Sequence, residues 1–465
     1  MAPVTQGHKS GKSITEGSRS YKEVISFLDS LKPIDHDKKT VDRMKQLDKL
    51  FGNISQKIPA ILVGGTNGKS STIHFASKLL KEEGQKVGIA YSSHILNYNE
   101  RVYVDDQAIQ NKTFADTVNE VITMAQAHKI EATAYELMTI ASLLYFKTEN
   151  VTVALIEIGL GGKYDAANIF SPKVVAITRV AQDESNILGE DLDEITFNML
   201  EVAKSGTWVV SAEQSKIRLN KMKKWAEERG INWAMPIRKL ASLPYIYEQL
   251  YGRTASLGER IAQVYIEDVC KKFSPFLRGN LLATKKGHRG RPTLEAKRNA
   301  ELNPIKTLKK FWHNEFSLLP GRFELLNKEK PSVLLDNADN LDAFNNTFLG
   351  IRLLHYQHPL KDLSMIIGLP ICTKMVESIK LIRYLLKKVS GQAIFVPIPN
   401  RESHDPQDLT KLAKELGVKA KAFDSFAKAF DSIKEAVDER EGLIVVTGHQ
   451  SLISEYWKHR GIKKV

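Results

Sequence analysis

Ile58–Leu80, IPAILVGGTNGKSSTIHFASKLL, is the stretch whose reading sets the fold class. Ile61, Leu62 and Val63 form an apolar run suited to a buried parallel strand, and Ile73, Ala76, Leu79 and Leu80 recur at helical spacing. Between them, Gly64 to Lys69 predicts a tight loop. Gly65 and Gly68, with Thr66 and Asn67 between them, let backbone N–H groups turn inward at a helix N-terminus. Lys69 adds a point charge for a phosphate tail, and Ser70 and Ser71 can cap the helix or reach a metal ion. Strand, loop, Lys-Ser-Ser and helix in this order predict a nucleotide-phosphate cradle.

Outward from this stretch, the chain has 465 residues, 42% hydrophobic and 26% charged, which predicts two domains. Cys270 and Cys372 match no metal or redox spacing and read as reduced thiols. The polar N-terminus lacks an apolar signal region and no window is long enough to cross a bilayer, so the expected location is cytoplasmic, without membrane partners. A net charge of +13 suits a polyanionic partner, whether nucleotide, acidic substrate or nucleic acid. Residues 1–18 read as a disordered tail.

Tyr21–Leu31 and Val41–Phe51 carry apolar residues at helical spacing and lead into the loop strand. Val87–Tyr91 reads as a second strand, ending in the polar SSHILNYNERV of Ser92–Val102. Ala134–Phe146 is an apolar helix, and Val151–Ile156 a strand delivering Glu157 to the glycine-rich GLGGKYDAAN. An acid at a strand end beside such a turn is either a metal ligand facing phosphate or a solvated acid. In the last third, strands at Val333–Leu335, Ser364–Ile367, Ala393–Val396 and Leu443–Val446 alternate with helices. Here His404 and His449 are open to substrate or packing roles.

Taken together, the GTNGKSS loop, the Ser92 loop with ERV, AYELMT, EIGLGGKYDAAN, ITRV (Ile177–Val180), LPGRFELL (Leu319–Leu326), DNADN (Asp336–Asn340) and VVTGHQSLISEY (Val445–Tyr456) resemble the folylpolyglutamate synthase/dihydrofolate synthase family of the Mur ligase superfamily. The resemblance covers most of the chain. It implies an α/β architecture: a P-loop ATP-binding domain over residues 19–316 with a parallel sheet, and a smaller Rossmann-like domain over 322–465. It also implies an ATP- and Mg²⁺-dependent amide ligase, in which a folate- or pteroate-type carboxylate becomes an acyl phosphate that the amine of L-glutamate attacks, in a monomer without nucleic-acid partners. Carried over by position, Lys69 holds phosphate, Ser71, Ser92, Glu157 and Glu184 bind metal, and Arg322 and Asp336 contact nucleotide. Lys69, Glu157 and Arg322 form the implied catalytic set.

Four positions depart from the family pattern. AQDE places Glu184 where the family has a His, and Met199 falls where a carbamylated lysine is usual. Gly252–Gly258 lacks the family's Gln and Asn, with Ala255 in that run, and Asp339 replaces a second His. These departures leave an alternative function, a catalytically weakened ATP-binding homologue with a regulatory or interaction role. From Arg278 to Lys310 an insertion carries ten Lys or Arg against two acids; it reads as a solvated loop or an anion-binding arm.

Overall fold

The computed structural model describes residues 19–32, 37–182, 185–189, 191–278 and 307–464. The expected N-terminal tail, the proposed ligand Glu184 and nearly all of the basic insertion lie outside the described residues.

Two mostly parallel sheets carry the architecture. The first takes its strands from Ala60–Gly64 (β1), Val87–Ala90 (β2), Val102–Val104 (β3), Gln107–Ala108 (β4), Val153–Glu157 (β5), Val174–Ile177 (β6), Trp208–Ser211 (β7) and Asn232–Ala234 (β8). Their order is β4-β3-β2-β5-β1-β6-β7-β8, antiparallel only where β3 joins β2 and β4. β1 and β5 are buried along their whole length because helices cover both faces, which is why they read as unbroken apolar runs. The second sheet uses Glu324–Leu326 (β9), Ser332–Leu335 (β10), Asp362–Ile367 (β11), Gly391–Phe395 (β12), Ala420–Ala422 (β13) and Gly442–Thr447 (β14), in the order β13-β12-β11-β14-β10-β9, with only β9 antiparallel.

The central strands begin and end close to their expected positions. β6 stops at Ile177, and the rest of ITRV, Thr178–Val180, leaves the strand and bends over the phosphate loop, where the Arg179 carbonyl accepts the Thr66 N–H at 2.8 Å. A 19-residue helix, Tyr245–Gln263, runs into a π-helical turn at Val264–Val269.

The two sheets share an apolar seam. Phe75, on the loop helix Lys69–Glu82, meets Trp312 edge-on at 5.4 Å and Tyr251 at 6.4 Å. Phe323 and Phe344, buried in the same cluster, continue it toward the second sheet. Both sheets therefore point the C-terminal ends of their central strands, β1, β5 and β10, at one cleft, the place where open α/β sheets collect ligands.

Candidate active site

The phosphate loop is built as its sequence dictates. Gly65 has φ +126° and an added Cβ would stand 2.0 Å from Thr178 Oγ1, while Gly68 has φ +88° at the helix N-terminus, so both positions require glycine. Thr66 pins the loop by accepting the Ala181 N–H and donating to its carbonyl, both at 3.0 Å. Lys69 Nζ donates to the carbonyls of Gly65 (3.0 Å) and Thr66 (3.2 Å), which holds the ammonium against the loop.

Glu157, at the end of β5, is only 4% exposed. Its Oε1 accepts from Ser70 Oγ at 3.2 Å and its Oε2 takes a long contact of 3.5 Å from the Ser92 N–H. On the far side of Ser70, Arg322 Nη2 donates to the same hydroxyl at 3.3 Å. The structure thus gathers Lys69, Ser70, Glu157, Ser92 and Arg322 on one wall, with Ser71 beside them. It is Ser70, and not Ser71, whose hydroxyl touches Glu157.

Two tyrosines that feel the Glu157 charge keep their hydroxyl protons. Burial, together with the charge of Glu157, pushes the Tyr91 hydroxyl well above its ordinary value. Tyr135 is raised in the same way, with Asp165 a larger contributor than Glu157, and donates to the Glu157 carbonyl at 2.8 Å. Burial also lifts the Asp165 carboxyl to about 6.

Arg322 owes its place to a loop tied at two points. Glu324 accepts the Gly321 N–H at 2.7 Å, and Asp336, at the end of β10, accepts the Phe323 N–H at 2.8 Å. The second bond holds Phe323 at φ +48°, a conformation costly for a bulky residue. Asp336 also accepts from the Ala338 N–H (3.0 Å) and Thr347 Oγ1 (2.6 Å). It lines the cavity, as expected of a nucleotide contact, but three protein donors already occupy its oxygens, which makes it the anchor of the Arg322 loop.

Between the two halves lies a cleft of about 820 Å³. Besides the groups above, Arg179, Gln214, Arg253, Thr254, Asp339, Arg401 and His449 line it. Sequence reading missed Arg179, Arg253 and Arg401. Arg179 stands in ITRV and Arg253 in the Gly252–Gly258 run, but nothing local marks these side chains as cleft groups, and only the chain's path over the cleft brings them in. The GRTASLG segment forms part of a helix that puts Arg253 and Thr254 on the wall and Ala255 in the core.

The remaining expected positions divide between the cleft wall, the core and the rest of the second half. His449 caps the Gln450–His459 helix, accepting the Ser451 N–H at Nδ1, and burial lowers its pKa to about 4. His404 Nε2 bonds the Thr373 carbonyl at 2.8 Å and is not part of the cleft wall. Met199 is a core residue, 2% exposed and away from the cleft, so it supplies nothing to the site. Its neighbour Asn198 is the one that faces the turn after Glu157, accepting the Gly162 N–H at 3.0 Å.

A hard cation suits the donors at Glu157. They comprise one buried carboxylate, adjacent hydroxyls and room for phosphate oxygens, the coordination that Mg²⁺ favours while keeping water. Among the described residues no cluster of three His, Cys, Asp or Glu side chains could hold a metal by itself, and the described donors there are Glu157 and the serines.

The relatives bear on this geometry directly. The dihydrofolate synthase/folylpolyglutamate synthase of Bacillus subtilis is 30% identical over 319 residues, 64% of this chain and 68% of that protein. The chain belongs to the dihydrofolate synthase/folylpolyglutamate synthase family. A second such protein, from Buchnera aphidicola, is 34% identical over 189 residues, although that match spans only 42% of its length. No protein-family model matches the chain. Among solved structures, a Mycobacterium tuberculosis folylpolyglutamate synthase complexed with ADP has a TM-score of 0.74 at 18% identity, covering 94% of this chain and 97% of that one. E. coli FolC in complex with DHPP and ADP has a TM-score of 0.71 at 20% identity, covering 96% and 98%. At these identities the structural likeness establishes the fold. Among the described residues, no helix is long and apolar enough to cross a membrane.

Proposed function

We propose that this chain is an ATP-dependent amide ligase that joins L-glutamate to a folate- or dihydropteroate-type carboxylate. The convergence of the phosphate loop, Glu157 and Arg322 in one cleft between the two sheets carries the reading. Membership of the family supports it, as does the description of one similar structure as bound to Mn, AMPPNP and L-glutamate. In this reading residues 19–316 hold the nucleotide and 322–465 close the site.

Phosphoryl transfer requires positioning and charge neutralisation more than covalent help from the protein. The loop N–H groups and Lys69 cradle the phosphates, with Lys69 exchanging its two carbonyl contacts for phosphate oxygens. Glu157 and the hydroxyls of Ser70, Ser71 and Ser92 would hold Mg²⁺, which when bound neutralises charge on the transferring phosphoryl group. Arg322, delivered by a loop anchored on Asp336, reaches the cradle from the other half of the chain and stabilises charge on the phosphates. A substrate carboxylate oxygen bonds to the γ-phosphorus as the bond to ADP breaks. The glutamate amine then attacks the acyl carbon, loses a proton and expels phosphate.

The test is phosphate release with ATP and Mg²⁺ against dihydropteroate or tetrahydrofolate, each with and without glutamate. Release that depends on both acceptor and glutamate is expected; ATP binding without such release would favour a non-catalytic homologue.

A further inference from the structure

We infer that Asp342 is a positioning residue that latches the tip of the phosphate loop to the C-terminal half of the chain, and that phosphoryl transfer depends on this latch more than nucleotide binding does. The inference rests on the ligase reading of the same site.

The latch is a closed set of contacts. Asn67, at the loop tip, exchanges two amide hydrogen bonds with Asn340, each 3.0 Å long. The Asn67 Nδ2 also donates to Asp342 Oδ2 at 2.9 Å. The other carboxylate oxygen of Asp342 receives Arg179 Nη2 at 2.7 Å, and Arg179 is the residue whose carbonyl accepts the Thr66 N–H. One carboxylate therefore bridges the loop tip and the segment that frames it, while standing in the first turn of the Leu341–Gln357 helix.

That helix is also tied to Arg322. Thr347, on the same helix, donates to Asp336, and Asp336 accepts the Phe323 N–H beside Arg322. A helix held this way moves as one body with the Arg322 loop. Where Asp342 grips the phosphate loop thus determines where the Arg322 guanidinium stands relative to Ser70 on the opposite flank of the cradle. The cradle N–H groups and Lys69 belong to the N-terminal half alone, so they can bind phosphate with the latch broken. Alignment of the cradle with Arg322 loosens when the latch is lost, even with the Asn67–Asn340 bonds in place, and misalignment acts on the transferring step.

The experiment compares wild type with Asp342→Ala and Asp342→Asn in acceptor-dependent phosphate release, ADP affinity and thermal stability. Asp342→Ala is expected to lower kcat about tenfold, the scale of one charge-assisted hydrogen bond, with the Kd for ADP changed less than about threefold. Asp342→Asn, which keeps an acceptor for Asn67 but not the charge for Arg179, should fall between. Wild-type kcat in Asp342→Ala would overturn the inference, as would weaker ADP binding at unchanged kcat. If that variant fails to fold, Arg179→Ala replaces it; its half-exposed side chain can be lost at little cost, and a fall of about threefold is expected, with wild-type kcat again overturning the latch. If wild type itself releases no acceptor-dependent phosphate, the ligase reading fails on its own. The latch is then read by small-angle X-ray scattering: a more open Asp342→Ala supports it, and identical profiles refute it.

Discussion

Glu157 and Asp336 are the same sequence signal met twice: an acid at the C-terminal end of an inner parallel strand, facing one cleft from two different sheets. Their surroundings differ. Glu157 has one hydroxyl and one long amide contact, so its oxygens retain capacity for a ligand. Asp336 takes three donors at 2.6 to 3.0 Å and spends that capacity on the protein. A strand-end acid is therefore a ligand group or a structural anchor according to how many internal donors reach it, and that count exists only in the folded chain.

The contrast can be broken most directly by removing charge without volume. Glu157→Gln is expected to cut turnover by two to three orders of magnitude, on the scale of losing one preorganised electrostatic contact, while leaving the unfolding midpoint nearly unchanged. A large loss of stability in that variant would show that Glu157 is an anchor too.

Asp336→Ala should do the reverse. It strands the Phe323 and Ala338 N–H groups and the Thr347 hydroxyl in a buried site, so a destabilisation of about 3 kcal/mol in urea unfolding is expected, with turnover falling as the Arg322 loop loosens. Unchanged stability would make Asp336 a ligand group like Glu157.

A third measurement uses pH to compare His449, on the cleft wall, with Asp165, which accepts a hydrogen bond from the cleft residue Tyr135. His449 has a folded pKa of about 4, below its ordinary 6.5, so the unfolded state binds more protons between these values. Its contribution is present above the unfolded pKa and is lost as pH falls from 6.5 toward 4, by up to roughly 3 kcal/mol. Asp165, raised to about 6 by burial, has the opposite sign: its contribution is present at low pH and is lost as pH rises from about 4 through 6. His449→Asn, which keeps a capping side chain, should remove the first slope and leave the second. A stability curve in that variant superimposable on wild type would refute the assignment.

The smallest effect expected is that of Thr347→Val, which removes one of the Asp336 donors at constant shape. A cost of about 1–2 kcal/mol in unfolding is expected, with turnover reduced only modestly. A loss as large as that of Asp336→Ala would place the whole anchor in the Thr347 bond.

Much of the cradle was legible because its physics is local. A loop that needs positive φ at Gly65 and Gly68, between an apolar strand and an amphipathic helix, leaves its mark within the single stretch Ile58–Leu80. Glu157 and Arg322 were legible for a related reason, each standing in a dense motif. The roles of Arg179 and Asp342 were not, since their partners lie far away in the chain: the two pair with each other, and Asp342 meets Asn67 across 275 positions. Met199 was legible as a departure from the family's lysine position, and the Leu192–Leu200 helix turns it into the core and leaves Asn198 facing the turn after Glu157.

The sequence by itself determined the strand–loop–helix of the phosphate site, the alternation that yields two mostly parallel sheets, and the glycines without which the loop cannot close. Periodicity and local backbone sterics suffice for these, because each is enforced by residues adjacent in the chain. Only the tertiary structure decided which strand-end acid keeps free lone pairs, which serine of the pair touches Glu157, and how the second half grips the loop through Asn340, Asp342 and Arg322. Those outcomes depend on hydrogen bonds between segments hundreds of residues apart, whose donors and acceptors carry no trace of one another in the sequence and meet only when both sheets have packed across the shared apolar seam.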